Sequence, residues 1–177
     1  MDEKKSVKMT LGTVICIIII VLLVISLICT ISYYKNKNKK EVHKPITVEA
    51  FKKFIDTKGF NVVDALDYLQ SSTFKDGLKA GYITQKNDDK EFQVNFFEFK
   101  DEVHTVYAYC DEIISIEKNN TGEFTENNEM KVNYAKYTAF SNGYYNVMIR
   151  IDNTLLFAKI QKDQKETVDN LLKDLGY

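Results

Sequence analysis

The sequence predicts an α+β domain: an antiparallel sheet of about five strands with helices packed on one face, preceded by a single transmembrane helix. Three observations carry that prediction. Residues 9–34 hold no charged side chain, and from 11 to 31 they are almost wholly apolar. Beyond residue 45, apolar positions recur at helical spacing in some stretches and alternate with period two in others. The alternating stretches are punctuated by turn pairs, Asn142-Gly143 the strongest of them.

The apolar run divides the chain into a short charged tail at 1–8, an anchor at 9–34, a Lys- and Asn-rich tether at 35–44 and a soluble domain at 45–177. At about 1.5 Å of rise per residue the run spans the roughly 30 Å hydrocarbon core of a bilayer, which makes the lipid bilayer its expected partner. It is too long for a cleaved signal peptide, whose apolar stretch has about 7–15 residues. A lipoprotein signal needs a small residue before its cysteine, but Ile15 precedes Cys16 and Ile28 precedes Cys29. The expectation is therefore an uncleaved, single-pass anchor.

Charge is split along the chain. Residues 1–44 carry eight lysines against three acids, a net +5; residues 45–177 carry sixteen basic side chains against twenty-two acidic ones, a net −6. Lys35, Lys37, Lys39 and Lys40 form a collar suited to anionic lipid headgroups. The acidic domain argues against nucleic acid as a partner, since phosphate binding requires a basic face. Lys4, Lys5 and Lys8 precede the anchor and five lysines follow it, so the positive-inside count slightly favours a cytoplasmic domain. A short basic start before a long apolar run is, however, the layout of a bacterial signal anchor, which predicts an extracytoplasmic one.

Within the domain, Thr47 caps a first helix whose stripe is Phe51, Phe54 and Ile55, with Ile46 placed as a hydrophobic staple and Gly59 as the stop. Residues 60–63 read as a short strand, and Asp64 caps a short helix containing Ala65, Leu66, Tyr68 and Leu69. Residues 79–86 and 91–99 read as paired strands, with Phe92, Val94 and Phe96 on one face and Phe97 and Phe99 on the other. A bulge, or a strand end buried on both sides, accounts for that change of phase. Residues 101–117 form the best helix, with Val103, Val106, Tyr107, Cys110, Ile113 and Ile114 as its expected buried stripe. The acidic, Asn-rich stretch 117–130 reads as a loop. A three-stranded meander follows over 131–140, 144–151 and 154–160, with Tyr145, Val147, Ile149 and Ile151 inward. Asp163 and Glu166 form a capping-box-like start for a last helix carrying Val168, Leu171, Leu172 and Leu175 and ended by Gly176.

No metal, cofactor or catalytic site is predicted. His43 and His104 lack a second ligand at metal spacing, and a calcium loop starting at Glu117 would put Asn128 where a bidentate acid belongs. Cys110 and His104 stand about 120° apart on one helix, and Cys110 is expected in the core. GxSxG, P-loop and GxGxxG motifs are absent. Two binding features remain. Arg150, with Asp152 and Asn153 at the following turn, has the chemistry to hold a carboxylate or phosphate, or to anchor an enzyme site with His104. Tyr137 and Tyr144 on one hairpin are candidates for an exposed aromatic recognition surface.

The runs NYAKY (133–137) and NGYYNVMIRIDNTLLFA (142–158), with the terminal LGY, resemble uncharacterised membrane-anchored or lipoprotein-like domains of low-GC Gram-positive bacteria. That resemblance implies placement at a cell envelope and transfers no activity. The sequence thus points to a membrane-anchored, extracytoplasmic binding or accessory domain with a protein or envelope partner. Its alternatives are an enzyme built around Arg150 and Asp152, and a cytoplasmic-facing interaction domain.

Overall fold

A computed structural model describes residues 22–30, 42–69 and 75–177. The charged tail, most of the predicted anchor and most of the tether lie outside the described residues. Residues 22–30 are helical and their apolar side chains are exposed. Among the described residues, no helix is long and apolar enough to cross a membrane. A separate compact unit begins at Val42 and runs to Tyr177.

That unit is an α+β domain built on one antiparallel sheet. Its elements are α1 (Val48–Thr57), β1 (Phe60–Asp64), α2 (Ala65–Tyr68), β2 (Leu78–Lys86), β3 (Gln93–Phe99), α3 (Glu102–Lys118), β4 (Phe124–Met130), β5 (Tyr134–Ser141), β6 (Tyr144–Ile151), β7 (Thr154–Gln161) and α4 (Lys165–Leu175). The sheet has seven strands, not five, in the order β1-β2-β3-β7-β6-β5-β4. Two meanders, β1–β3 and β4–β7, join where β3 pairs with β7. The link between them is α3, which must carry the chain from the middle of the sheet to its far edge.

The edges are β1, already read as a short strand at 60–63, and β4, which was not expected. Residues 117–130 are not simply a loop: β4 pairs with β5 along its whole length, Phe124 opposite Ser141 through Met130 opposite Ala135. Its side chains are mostly exposed, so no face is apolar and no alternation marks it. A charged, polar edge of this kind discourages pairing with other chains.

Helices cover both faces, which corrects the expectation of one. On the first face, Phe51 and Ile55 of α1 and Val168, Leu171 and Leu172 of α4 share a core with Val94, Phe96, Val147, Ile149 and Leu156. On the second, Ala108 and Tyr109 of α3 and Ala65 of α2 pack over Phe97, Phe99, Tyr137, Met148 and Leu155. The phase change in β3 follows from this: the strand is central and buried on both sides, so Phe96 and Phe97 serve different cores. A register shift does occur, but at Leu78 to Ala80 on β2.

Several local signals act as expected. Thr47 Oγ1 accepts from the Ala50 amide at 3.1 Å and Asp64 Oδ1 from the Leu66 amide at 2.8 Å; Asp101, not singled out as a cap, does the same for α3, its Oδ1 accepting from the His104 amide at 3.0 Å. Asn142 and Gly143 both take positive φ, 52° and 84°, the geometry of a type I′ hairpin turn. The start of α4 differs: a 3-10 turn at Lys162–Gln164 precedes it, and no side chain caps it.

The stripe on α3 also differs. Thr105, Ala108 and Tyr109 are its buried residues, with Ile113 and Ile116 partly buried behind them. Val103, Val106, Tyr107 and Ile114 point outward, Tyr107 with 71% of its surface exposed, and Cys110 is exposed beside them. The sheet below presents Phe97, Phe99, Tyr137 and Met148. The helix is therefore rotated so that Thr105, Ala108 and Tyr109 meet these rings, and the stripe of Val103, Val106, Tyr107 and Ile114 faces away.

Candidate functional site

The second face of the sheet is graded from apolar to polar along its strands. Pairing registers define rows of neighbours across β3, β7, β6 and β5. One row reads Phe97, Leu155, Arg150, Ala135; the next reads Asn95, Phe157, Met148, Tyr137. The row beyond reads Gln93, Lys159, Asn146, Ala139 and is largely polar. Alternation along each strand puts all of them on the face that α3 covers.

The carboxyl-terminal half of α3 roofs that polar row and leaves a cleft of about 370 Å³. Glu112, Ser115 and Ile116 line it from the helix; Gln93, Asn146, Phe157 and Lys159 line it from the sheet; Tyr144 closes the side. The hairpin turn is fastened to the segment after α3. Asn142 Oδ1 accepts from the Thr121 amide at 3.0 Å, Asn142 Nδ2 donates to the Asn119 carbonyl at 2.9 Å, and Ser141 Oγ donates to Asn120 Oδ1 at 3.0 Å. The left-handed backbone at Asn142 therefore both turns the hairpin and holds the end of the cleft.

Three polar side chains, Asn146, Glu112 and Lys159, face the cleft. Asn146 is 4% exposed as a residue, and its carboxamide opens onto the cleft rather than being sealed from solvent. Glu112 and Lys159 line the same cleft, and neither forms an ion pair among the described residues. Burial raises the Glu112 carboxyl above its ordinary value; Asp111 pushes the same way and Lys159 opposes them. The Lys159 ammonium lies 4.2 Å from the centre of the Tyr144 ring, a cation–π contact that leaves its hydrogen-bond donors available.

The residues singled out from sequence fall in different places. Arg150, 8% exposed, donates from Nη1 to Glu102 Oε1 at 2.6 Å, so it ties α3 to β6 rather than pairing with Asp152. Asp152 takes the turn's positive φ, 49°, and Asn153 Nδ2 donates to the Phe99 carbonyl at 2.9 Å. These groups sit at the far end of β6 from Tyr144, about 20 Å away for Arg150 and about 26 Å for Asp152 at roughly 3.3 Å per residue. Tyr137 and Tyr144 do share a face, but Tyr137 is 1% exposed beneath α3 and cannot belong to a recognition surface. Burial and the neighbouring Glu126 carboxylate push its hydroxyl well above the usual range.

His104 donates from Nδ1 to Asp101 Oδ1 at 2.8 Å, and it lines a second cavity with Cys110 and Tyr107. Neither Arg150 nor Asp152 is on that wall. Cys110 is exposed, not in the core, yet six residues of helix separate it from His104 by about 9 Å along the axis, beyond hydrogen-bond reach. Among the described residues no cluster of three His, Cys, Asp or Glu side chains is placed to hold a metal.

Glu112, Asn146, Phe157, Lys159 and Gln93 escaped the sequence reading. One available signal was Asn146, a carboxamide in a strand whose other polar member besides the tyrosines is Arg150. Its significance depends on both faces of β6 being covered, which the alternation of β6 alone does not reveal.

No protein-family model and no curated protein matches the chain. Among solved structures, it is similar to the extracellular domain of PknH from Mycobacterium tuberculosis, at 13% identity, over 75% of this chain and 98% of that one, with a TM-score of 0.33.

Proposed function

We infer that this protein is a membrane-tethered, extracytoplasmic binding module that holds a small polar ligand in the cleft beneath α3. One observation carries the reading: a cleft beneath α3 holds an acid, Glu112, and a base, Lys159, that form no ion pair among the described residues, with the Asn146 carboxamide on the same wall. The uncharged run at 9–34 and its lysine collar support the tether, with Lys35, Lys37, Lys39 and Lys40 meeting anionic headgroups.

Placement is tested by protease shaving of intact cells that express the full chain. Residues 42–177 are digested from outside if the domain is exported; a domain cut only after lysis reverses the assignment. Extraction of membranes at high pH must leave the chain in the pellet, and its release would remove the anchor from the proposal.

A further inference from the structure

We propose that the cleft is a site for a zwitterion, specifically a free α-amino acid with an apolar side chain, whose ammonium meets Glu112 and whose carboxylate meets Lys159. The proposal rests on the ligand-site reading above and names the chemistry of its occupant. Glu112 and Lys159 face the same cavity but do not come within ion-pair distance of each other. Opposite charges held apart in a partly desolvated cleft suit a molecule that carries both signs and places one against each. A neutral sugar would leave both charges without counterparts, and a simple anion or cation would satisfy one and repel the other.

Asn146 adds geometry to the charges. It follows Lys159 in the polar row, so its carboxamide can donate to a carboxylate that Lys159 already holds. The Lys159 ammonium is steadied over the Tyr144 ring, which limits its freedom without consuming its donors. Ile116 and Phe157 supply apolar wall for the side chain. A cleft of about 370 Å³ admits a molecule of leucine's size with room for water.

The test is isothermal titration calorimetry on the full chain in detergent micelles. The probes are L-leucine, leucinamide (no carboxylate), N-acetyl-leucine (no free ammonium) and glucose. L-leucine binds, and blocking either charge weakens binding about tenfold or more. Glu112→Gln then abolishes the preference for L-leucine over N-acetyl-leucine, while Lys159→Met abolishes its preference over leucinamide. Asn146→Leu removes binding by all probes, with circular dichroism confirming that each variant is folded. Equal binding of L-leucine and its blocked forms by the unmodified chain overturns the proposal. Binding of glucose alone, lost in Asn146→Leu, overturns the ligand class and leaves the cleft as a binding site. Silence of every probe overturns both.

Discussion

On one face of the sheet, α1 and α4 share a core with the strands in which Phe51, Ile55, Phe96, Val147, Leu156 and Val168 are fully enclosed. On the other, α3 crosses from β3 toward the β4 edge. It seals the aromatic half of that face and only roofs the polar half. The first face is a stabilising core with Phe51 and Phe96 stacked at 5.1 Å between ring centres. The second divides its area between a core around Tyr137, Phe99 and Leu155 and a cleft around Asn146. A seven-stranded sheet is wide enough for one face to supply cohesion while part of the other forgoes it.

The comparison predicts that the first face tolerates truncation least. Phe96→Ala removes a ring with no exposed surface from the centre of that core. The loss is about 3–5 kcal/mol, from lost burial and the cavity left behind. Denaturant unfolding followed by far-UV circular dichroism measures it. Asn146→Ala, on the cleft side, costs far less, because its amide has no bond to lose. Comparable losses at the two positions would erase the distinction between the faces.

Gly77 comes next. It has φ +78°, and a Cβ there would lie 2.1 Å from His104 Cδ2, where the amino-terminal end of α3 meets the turn before β2. Gly77→Ala therefore combines backbone strain with a collision and costs about 1–3 kcal/mol or more. The double variant Gly77→Ala with His104→Ala recovers part of that loss, and the remainder measures the strain alone.

Local chemistry was legible in the chain, and long-range register was not. Thr47 and Asp64 announce helix starts because a capping side chain bonds an amide two or three residues away. Gly59, Gly176 and the Asn142-Gly143 pair are equally local, since positive φ is a property of one residue. The outward stripe of α3 misled because hydrophobicity says which residues could be buried. Which are buried depends on the rings of the sheet beneath. β4 was invisible for the opposite reason: an edge strand with both faces in solvent needs no apolar alternation. The cleft depends on β3 meeting β7 across more than sixty residues, which brings Gln93, Lys159 and Asn146 into one row. No segment of the sequence contains that information by itself.

Tyr137 and Glu112 sharpen the contrast within the second face. The Tyr137 hydroxyl is buried without a well-formed hydrogen bond, so Tyr137→Phe keeps the ring and removes an unsatisfied group. It leaves stability unchanged or raises it by about 1 kcal/mol, visible as a higher urea midpoint. Glu112 bears on pH. Burial, reinforced by Asp111 and opposed by Lys159, raises its carboxyl above 4.5 in the folded chain. Between the unfolded and folded values the native state binds more protons, so this contribution to stability is full below about pH 4.5 and is lost as pH rises through the native value. Glu112→Gln removes that loss. The variant matches the parent at pH 4 and melts higher than it at pH 7; an unchanged difference in melting temperature between those pH values would contradict the burial of Glu112.

The smallest expected effect lies on the outer side of the same helix. Val103 and Tyr107 are 59% and 71% exposed, and their replacement by serine removes little buried area. Val103→Ser and Tyr107→Ser therefore shift stability by no more than about 0.5 kcal/mol each, apart from a small change in helix propensity. Ala108, next to Tyr107, is buried, and Ala108→Ser places a hydroxyl against the sheet, so it destabilises more than either of them. Cys110 provides an independent measure of the same geometry. Its thiol is exposed in the folded chain and reacts with a maleimide without prior unfolding, at a rate that adding sub-denaturing urea does not increase. A rate that climbs with urea would mean that the outer stripe of α3 is covered, and that the helix has two buried sides instead of one.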